Sequence, residues 1–132
     1  MLMFVQDRHR TKDDERFYRF SAFRNDRRIT ATNGLLPGSY GTTEADGDLV
    51  KTGAEAVERY ALPSDDPASY RFVIKPLKDT AIKKGIVQPA NNHQGGCVEV
   101  IFTEGTTKDT VTQPPAKLPD NQDAYQTRET LD

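Results

Sequence analysis

GGCVEVIFTEG, residues 95–105, decides the fold. Val98, Val100 and Phe102 recur at a spacing of two, and so do Glu99, Ile101 and Thr103, with glycines at both ends. That is the signature of a β-strand, in which alternate side chains point to opposite faces. One face of this strand is apolar. The other sets the Glu99 carboxylate beside Ile101, aimed away from Val98, Val100 and Phe102.

Working outward, the polar connection QPANNHQGG precedes this strand, and before it YRFVIKP at 70–76 reads as another strand, rich in aromatic and β-branched residues and stopped by Pro76. TGAEAVERY at 52–60 reads as a helix, because Thr52 followed three residues later by Glu55 forms a capping box, and Pro63 ends it. SYGTT at 39–43 is a short strand entered through the turn residues of Asn33-Gly34 and Pro37-Gly38. RFYRFSAF at 16–23 alternates Phe17, Arg19 and Ser21 with Tyr18, Phe20 and Ala22, so Arg19 projects from a strand face. Strands in separate segments with one helix among them indicate an α+β class. Residues 1–15 and the polar run 120–132 after Pro114-Pro115 and Pro119 are expected to be peripheral and weakly ordered.

The 132 residues fit one domain, with one core and no internal repeat. Cys97 is the only cysteine, so an intrachain disulfide and thiolate metal clusters are excluded. His9 and His93 lie at no metal-ligand spacing, and no metal is expected. The apolar run at the amino terminus is too short for a signal peptide, and no stretch is long enough to span a bilayer, so no membrane partner is expected. The net charge of −2 and pI near 5.7 give no whole-domain attraction to phosphate backbones, which makes nucleic acid an unexpected partner. Charge is nonetheless uneven: Arg8, Arg10, Arg16, Arg19, Arg24, Arg27 and Arg28 crowd the front, and acidic residues weight the tail. The sequence has no Gly-x-Gly-x-x-Gly, P-loop or Gly-x-Ser-x-Gly motif.

An arginine on an early strand, the Tyr40-Gly41-Thr42-Thr43 cluster and a late-strand glutamate suit a dinucleotide. A guanidinium forks onto phosphate or ribose, an aromatic face stacks on nicotinamide, and a carboxylate accepts from ribose hydroxyls. Breaking the nicotinamide–ribose bond develops positive charge on the sugar, which a fixed carboxylate stabilises in the transition state.

With these residues the sequence resembles the ADP-ribosyltransferase fold. YRFSAF, GLLPGSYGTTEADG with TGAEAVERYALP, and GGCVEVIF resemble, over about residues 16–119, a transferase domain at the C-terminus of Rhs polymorphic toxins that modifies elongation factor Tu. The resemblance implies two small, mainly antiparallel sheets around an NAD cleft, flanked by a short helix. It puts Glu99 in the catalytic position and Arg19, Tyr40, Thr42, Thr43 and Tyr60 around NAD, the substrate. Gln94 is expected to touch acceptor or ribose. Cys97 stands two before Glu99 where arginine-specific relatives carry Glu or Gln, which counts against an arginine acceptor. Such domains are released from a larger effector into the cytoplasm of a recipient bacterium and neutralised by a cognate immunity protein.

The residues leave other readings open. A metal-independent ribonuclease toxin would use Glu99 as base, His93 as acid and the front arginines for phosphates. A binding module would use none of this chemistry. RNA as the ADP-ribose acceptor also stays open. Residue by residue, Arg19 fits an exposed strand position, Tyr60 a core tyrosine, and Glu99 the solvated face of an edge strand.

Overall fold

The computed structural model describes residues 7–60, 68–89 and 95–119. Alternation builds the centre of the fold. Phe17–Ser21 (β2), Ser39–Thr43 (β3), Tyr70–Ile74 (β4) and Val98–Phe102 (β6) are strands where the pattern predicts them. Asp7–Arg10 (β1), Ala81–Ile86 (β5) and Val111–Lys117 (β7) complete a seven-stranded sheet in the order β1-β5-β6-β3-β2-β4-β7, every pairing antiparallel. Glu44–Gly47 (α1) and Gly53–Tyr60 (α2) are the helices.

The expected two sheets are one continuous sheet whose halves meet at a narrow seam. Only two residue pairs, Phe17↔Thr43 and Tyr18↔Thr42, join β2 to β3, whereas β2 and β4 pair over five residues. Each face has its own core. Phe17, Leu35, Phe72, Ile74, Ile82, Val100, Phe102 and Val111 cluster on one, where Phe17 meets Phe102 edge to face at 5.4 Å. Tyr18, Phe20, Val57, Tyr60, Val87 and Cys97 cluster on the other, beneath α2, with Phe20 stacked on Tyr60 at 5.5 Å.

Half of the expected capping box on α2 forms: the Thr52 hydroxyl accepts from the Glu55 amide at 3.1 Å, while the Glu55 carboxylate accepts from the Lys51 amide at 3.5 Å rather than from that of Thr52. Gly53 opens the helix because a Cβ there would run into the Ala68 carbonyl oxygen. The front of the chain departs from expectation, since Asp7–Arg10 form an edge strand that pairs with Ala81–Lys84 over four residues. The tail beyond Pro119 lies outside the described residues.

Candidate active site

β6 is an inner strand, held by β5 on one side and β3 on the other, so Glu99 is not on a solvated edge. Its side chain is fully buried, and neither carboxylate oxygen has a hydrogen-bond partner among the described residues. A buried carboxylate without donors costs several kcal/mol to ionise, so burial pushes the Glu99 carboxyl from its usual 4.5 up to about 7.

Register defines what shares its face. Glu99 pairs with Gly85 of β5, which offers no side chain there. Two residues along β6, Ile101 pairs with Lys83 on one side and Tyr40 on the other, and Lys83 in turn pairs with Arg8 of β1. Because paired residues on antiparallel strands point the same way, Arg8, Lys83, Ile101 and Tyr40 form one transverse row, adjacent to Glu99. Arg8 is exposed and the other three are half-buried.

The remaining expected site residues divide between the two faces. Thr42 is buried on the Glu99 face, and its hydroxyl donates to the Val98 carbonyl at 2.7 Å. Tyr60 reaches this face from α2 and is buried in the core; its hydroxyl donates to Asp46 at 3.0 Å, and burial pushes its pKa far up. Asp46 also accepts from the Val98 amide at 3.2 Å, so it ties both helices to β6. Cys97, two residues before Glu99 on the same face, is buried, and its sulfur accepts from Arg59 Nε. Thr43 acts as the N-cap of α1, accepting from the Asp46 amide at 3.3 Å. Gln94 and His93 lie outside the described residues.

Arg19 points the other way. It alternates with Tyr18 and Phe20, which line the Glu99 face, and it pairs across the ladder with Phe72 of the opposite core. Its guanidinium is engaged by Asp26, at 2.9 and 3.2 Å, and by the Tyr40 carbonyl at 2.9 Å. The expected grouping of Arg19 with Glu99 in one cleft is therefore corrected by register. A polar depression of about 310 Å³ lies beside Asp26 and Ile29, away from Glu99.

The glycines before Glu99 also behave differently from each other. Gly95 has φ +67°, and a Cβ there would press on the Val87 and Gln88 carbonyl oxygens at 2.7 and 2.8 Å, so it serves backbone packing. At Gly96, φ +97°, a Cβ would meet nothing within 4 Å.

No family model and no curated protein matches the sequence. Two solved structures do match. Tne2, solved in complex with Tni2, superposes with a TM-score of 0.59 at 12% identity, covering 89% of this chain and 95% of that one. Rhs1-CT, solved in complex with its cognate immunity protein RhsI1, gives 0.61 at 12% identity, covering 86% and 82%. This chain shares their fold. At that identity the likeness concerns the path of the backbone and not the chemistry of any side chain.

Sequence reasoning singled out Glu99 and Tyr40, which register places two residues and one strand apart on one face; it did not place Asp46 or Lys83 there, and it gave Arg8 a role only with the other front arginines in the ribonuclease reading. Asp46 sits within a Glu-Ala-Asp-Gly run that carries no strong pattern, and Lys83 within Ala-Ile-Lys-Lys-Gly-Ile, where two lysines and a glycine interrupt the apolar residues. Only register reveals that Arg8 and Lys83 share a row with Tyr40.

Proposed function

We propose that this chain is a toxin domain that cleaves the nicotinamide–ribose bond of NAD with Glu99 as its catalytic carboxylate, transfers the ADP-ribose to a macromolecule, and is held in check by a cognate immunity protein. The observation that carries this reading is the buried carboxylate on an inner strand, which has no donor among the described residues. A fold that leaves such a group unsatisfied is the physical pattern of a residue kept for a ligand, because ribose hydroxyls would supply the missing donors.

The raised pKa fits the same chemistry. A positively charged nicotinamide ring arriving beside Glu99 favours the ionised form, so the substrate itself prepares the carboxylate. As the carbon–nitrogen bond breaks, its electron pair leaves with nicotinamide, and the cationic charge that grows on the sugar is stabilised by Glu99. The acceptor then bonds to the anomeric carbon and gives its proton to water. Elongation factor Tu is the acceptor to which the sequence resemblance points. The toxin reading draws on the fold shared with Rhs1-CT, a protein solved with a cognate immunity protein.

A ribonuclease is the second reading, favoured by the exposed Arg8-His9-Arg10 strand and by a carboxyl poised near neutrality to act as a base. One experiment separates them. Purified protein is incubated with labelled NAD and a bacterial lysate, and nicotinamide release, label on protein and RNA integrity are followed together. Glu99→Gln should lower nicotinamide release on the order of 10²–10³-fold while the variant still melts cooperatively. Release at the wild-type rate by a folded Glu99→Gln protein would remove Glu99 from the mechanism, and RNA cleavage without nicotinamide release would favour the nuclease.

A further inference from the structure

The two faces of the β1–β5 ladder carry different charge. On the face away from Glu99, Asp7 stands opposite Lys84, an acid against a base. On the Glu99 face, Arg8 stands directly opposite Lys83, and neither side chain makes an ion pair or a hydrogen bond to a described residue. Like charges directly opposite on neighbouring strands oppose pairing. Nothing about the fold needs this juxtaposition, since β1 is an edge strand whose residues are all exposed and the facing ladder could carry any polar pair. An anion arriving between the two side chains would turn the repulsion into attraction.

We infer that Arg8 and Lys83 form an anion subsite that holds the diphosphate of a dinucleotide substrate while Glu99 engages its nicotinamide ribose. The inference rests on the proposed NAD reading for the identity of the ligand, and on register for the site. Lys83 lies one strand over and two residues along from Glu99, a Cα separation of about 8 Å, and Arg8 one strand further, about 12 Å. Their side chains are long enough to reach toward Glu99, and Gly85 between them puts no side chain in the way. The row continues through Ile101 to Tyr40, so that a guanidinium and an aromatic ring stand at its two ends, three strand spacings or about 14 Å apart. That is the scale of an extended dinucleotide. Arg19, the arginine the sequence offers for phosphate, faces the opposite core and is already paired with Asp26.

Two measurements on the full chain test the subsite. First, inorganic pyrophosphate is titrated calorimetrically at low salt into wild type, into the double variant Arg8→Gln/Lys83→Gln, and into Lys84→Gln on the other face. Binding should weaken at least tenfold in the double variant and stay unchanged in Lys84→Gln. Equal weakening in both would mean a diffuse charge effect, and equal binding in all three would mean no site; either result overturns the inference. Second, turnover of NAD is compared with that of nicotinamide riboside, which lacks the phosphates. The double variant should raise KM for NAD about tenfold with kcat little changed, and should process nicotinamide riboside as wild type does. A matching loss on both substrates would show a general structural defect and overturn the assignment. If wild type turns over neither substrate, the NAD reading fails, and the pyrophosphate titration still decides whether Arg8 and Lys83 bind diphosphate.

Discussion

Two carboxylates, Asp26 and Glu99, are buried on opposite sides of the same sheet, and the fold treats them in opposite ways. Asp26 accepts from Arg19 Nε at 2.9 Å, from the second guanidinium nitrogen at 3.2 Å and from the Arg28 amide at 2.8 Å. Burial alone would raise its pKa, but these donors outweigh it and hold the carboxyl below its usual value. Glu99 has the burial without donors among the described residues, and its pKa goes up. Both are charged residues on or beside sheet strands, so residue type does not separate them. What separates the two carboxylates is whether the described residues complete their hydrogen bonds.

The difference is broken most directly by pH. Glu99 stays protonated in the native chain up to about 7, while in the unfolded chain it ionises at its usual 4.5. Its contribution to stability is therefore full below pH 4.5 and lost as pH rises toward and through 7. At ~1.4 kcal/mol per unit, the loss amounts to about 3 kcal/mol by pH 8. Glu99→Gln should flatten that part of the profile and be more stable than wild type at pH 8, as read by urea melts between pH 4.5 and 8. Superimposable profiles would mean that Glu99 finds donors in solution.

Asp26 should give the reverse. Asp26→Asn leaves the Arg19 guanidinium without its counter-charge, its side chain only 15% exposed. A loss of about 2 kcal/mol is expected at pH 7, less than for a fully buried pair because Arg19 retains some solvent. Wild type should shed the same stabilisation as pH falls through the Asp26 range, and the variant should not. A thermal melt within a degree of wild type at pH 7 would make the pair ornamental.

The smallest effect is expected at Tyr60. Tyr60→Phe keeps the stack on Phe20 and removes only the hydroxyl that donates to Asp46, so about 1 kcal/mol of stability should be lost. Asp46 keeps the Val98 amide in the variant. A loss several times larger in urea melts would show that the hydroxyl holds more of the α1–α2 contact than its single bond to Asp46.

The strands that carry the core were legible because each has one apolar face: Tyr18 and Phe20, Phe72 and Ile74, and Val98, Val100 and Phe102 announce themselves by alternation. β5 did not, because Lys83, Lys84 and Gly85 dilute Ile82 and Ile86. β7 was obscured by Pro114 and Pro115, which an edge strand tolerates since its outer amides need no partner. β1 is exposed at every position and has no apolar face to read. The orientation of Glu99 relative to its own strand was also legible. Its relation to Arg19 was not, because alternation says which residues of one strand agree, while agreement between β6 and β2 depends on the registers through β3. Those registers are tertiary facts.

The place of β6 in the sheet carries a consequence for the timing of synthesis. Its neighbours β5 and β3 precede it in the chain, and its insertion between them joins β1 and β5 to the strands of the other half. Until residue 102 has left the ribosome, the sheet is two unconnected fragments and the glutamate has no walls around it. Such long-range pairing closes slowly compared with local structure. A growing chain of this domain thus lacks the enclosed Glu99 until β6 is added, and the two halves of the sheet join in a single late step.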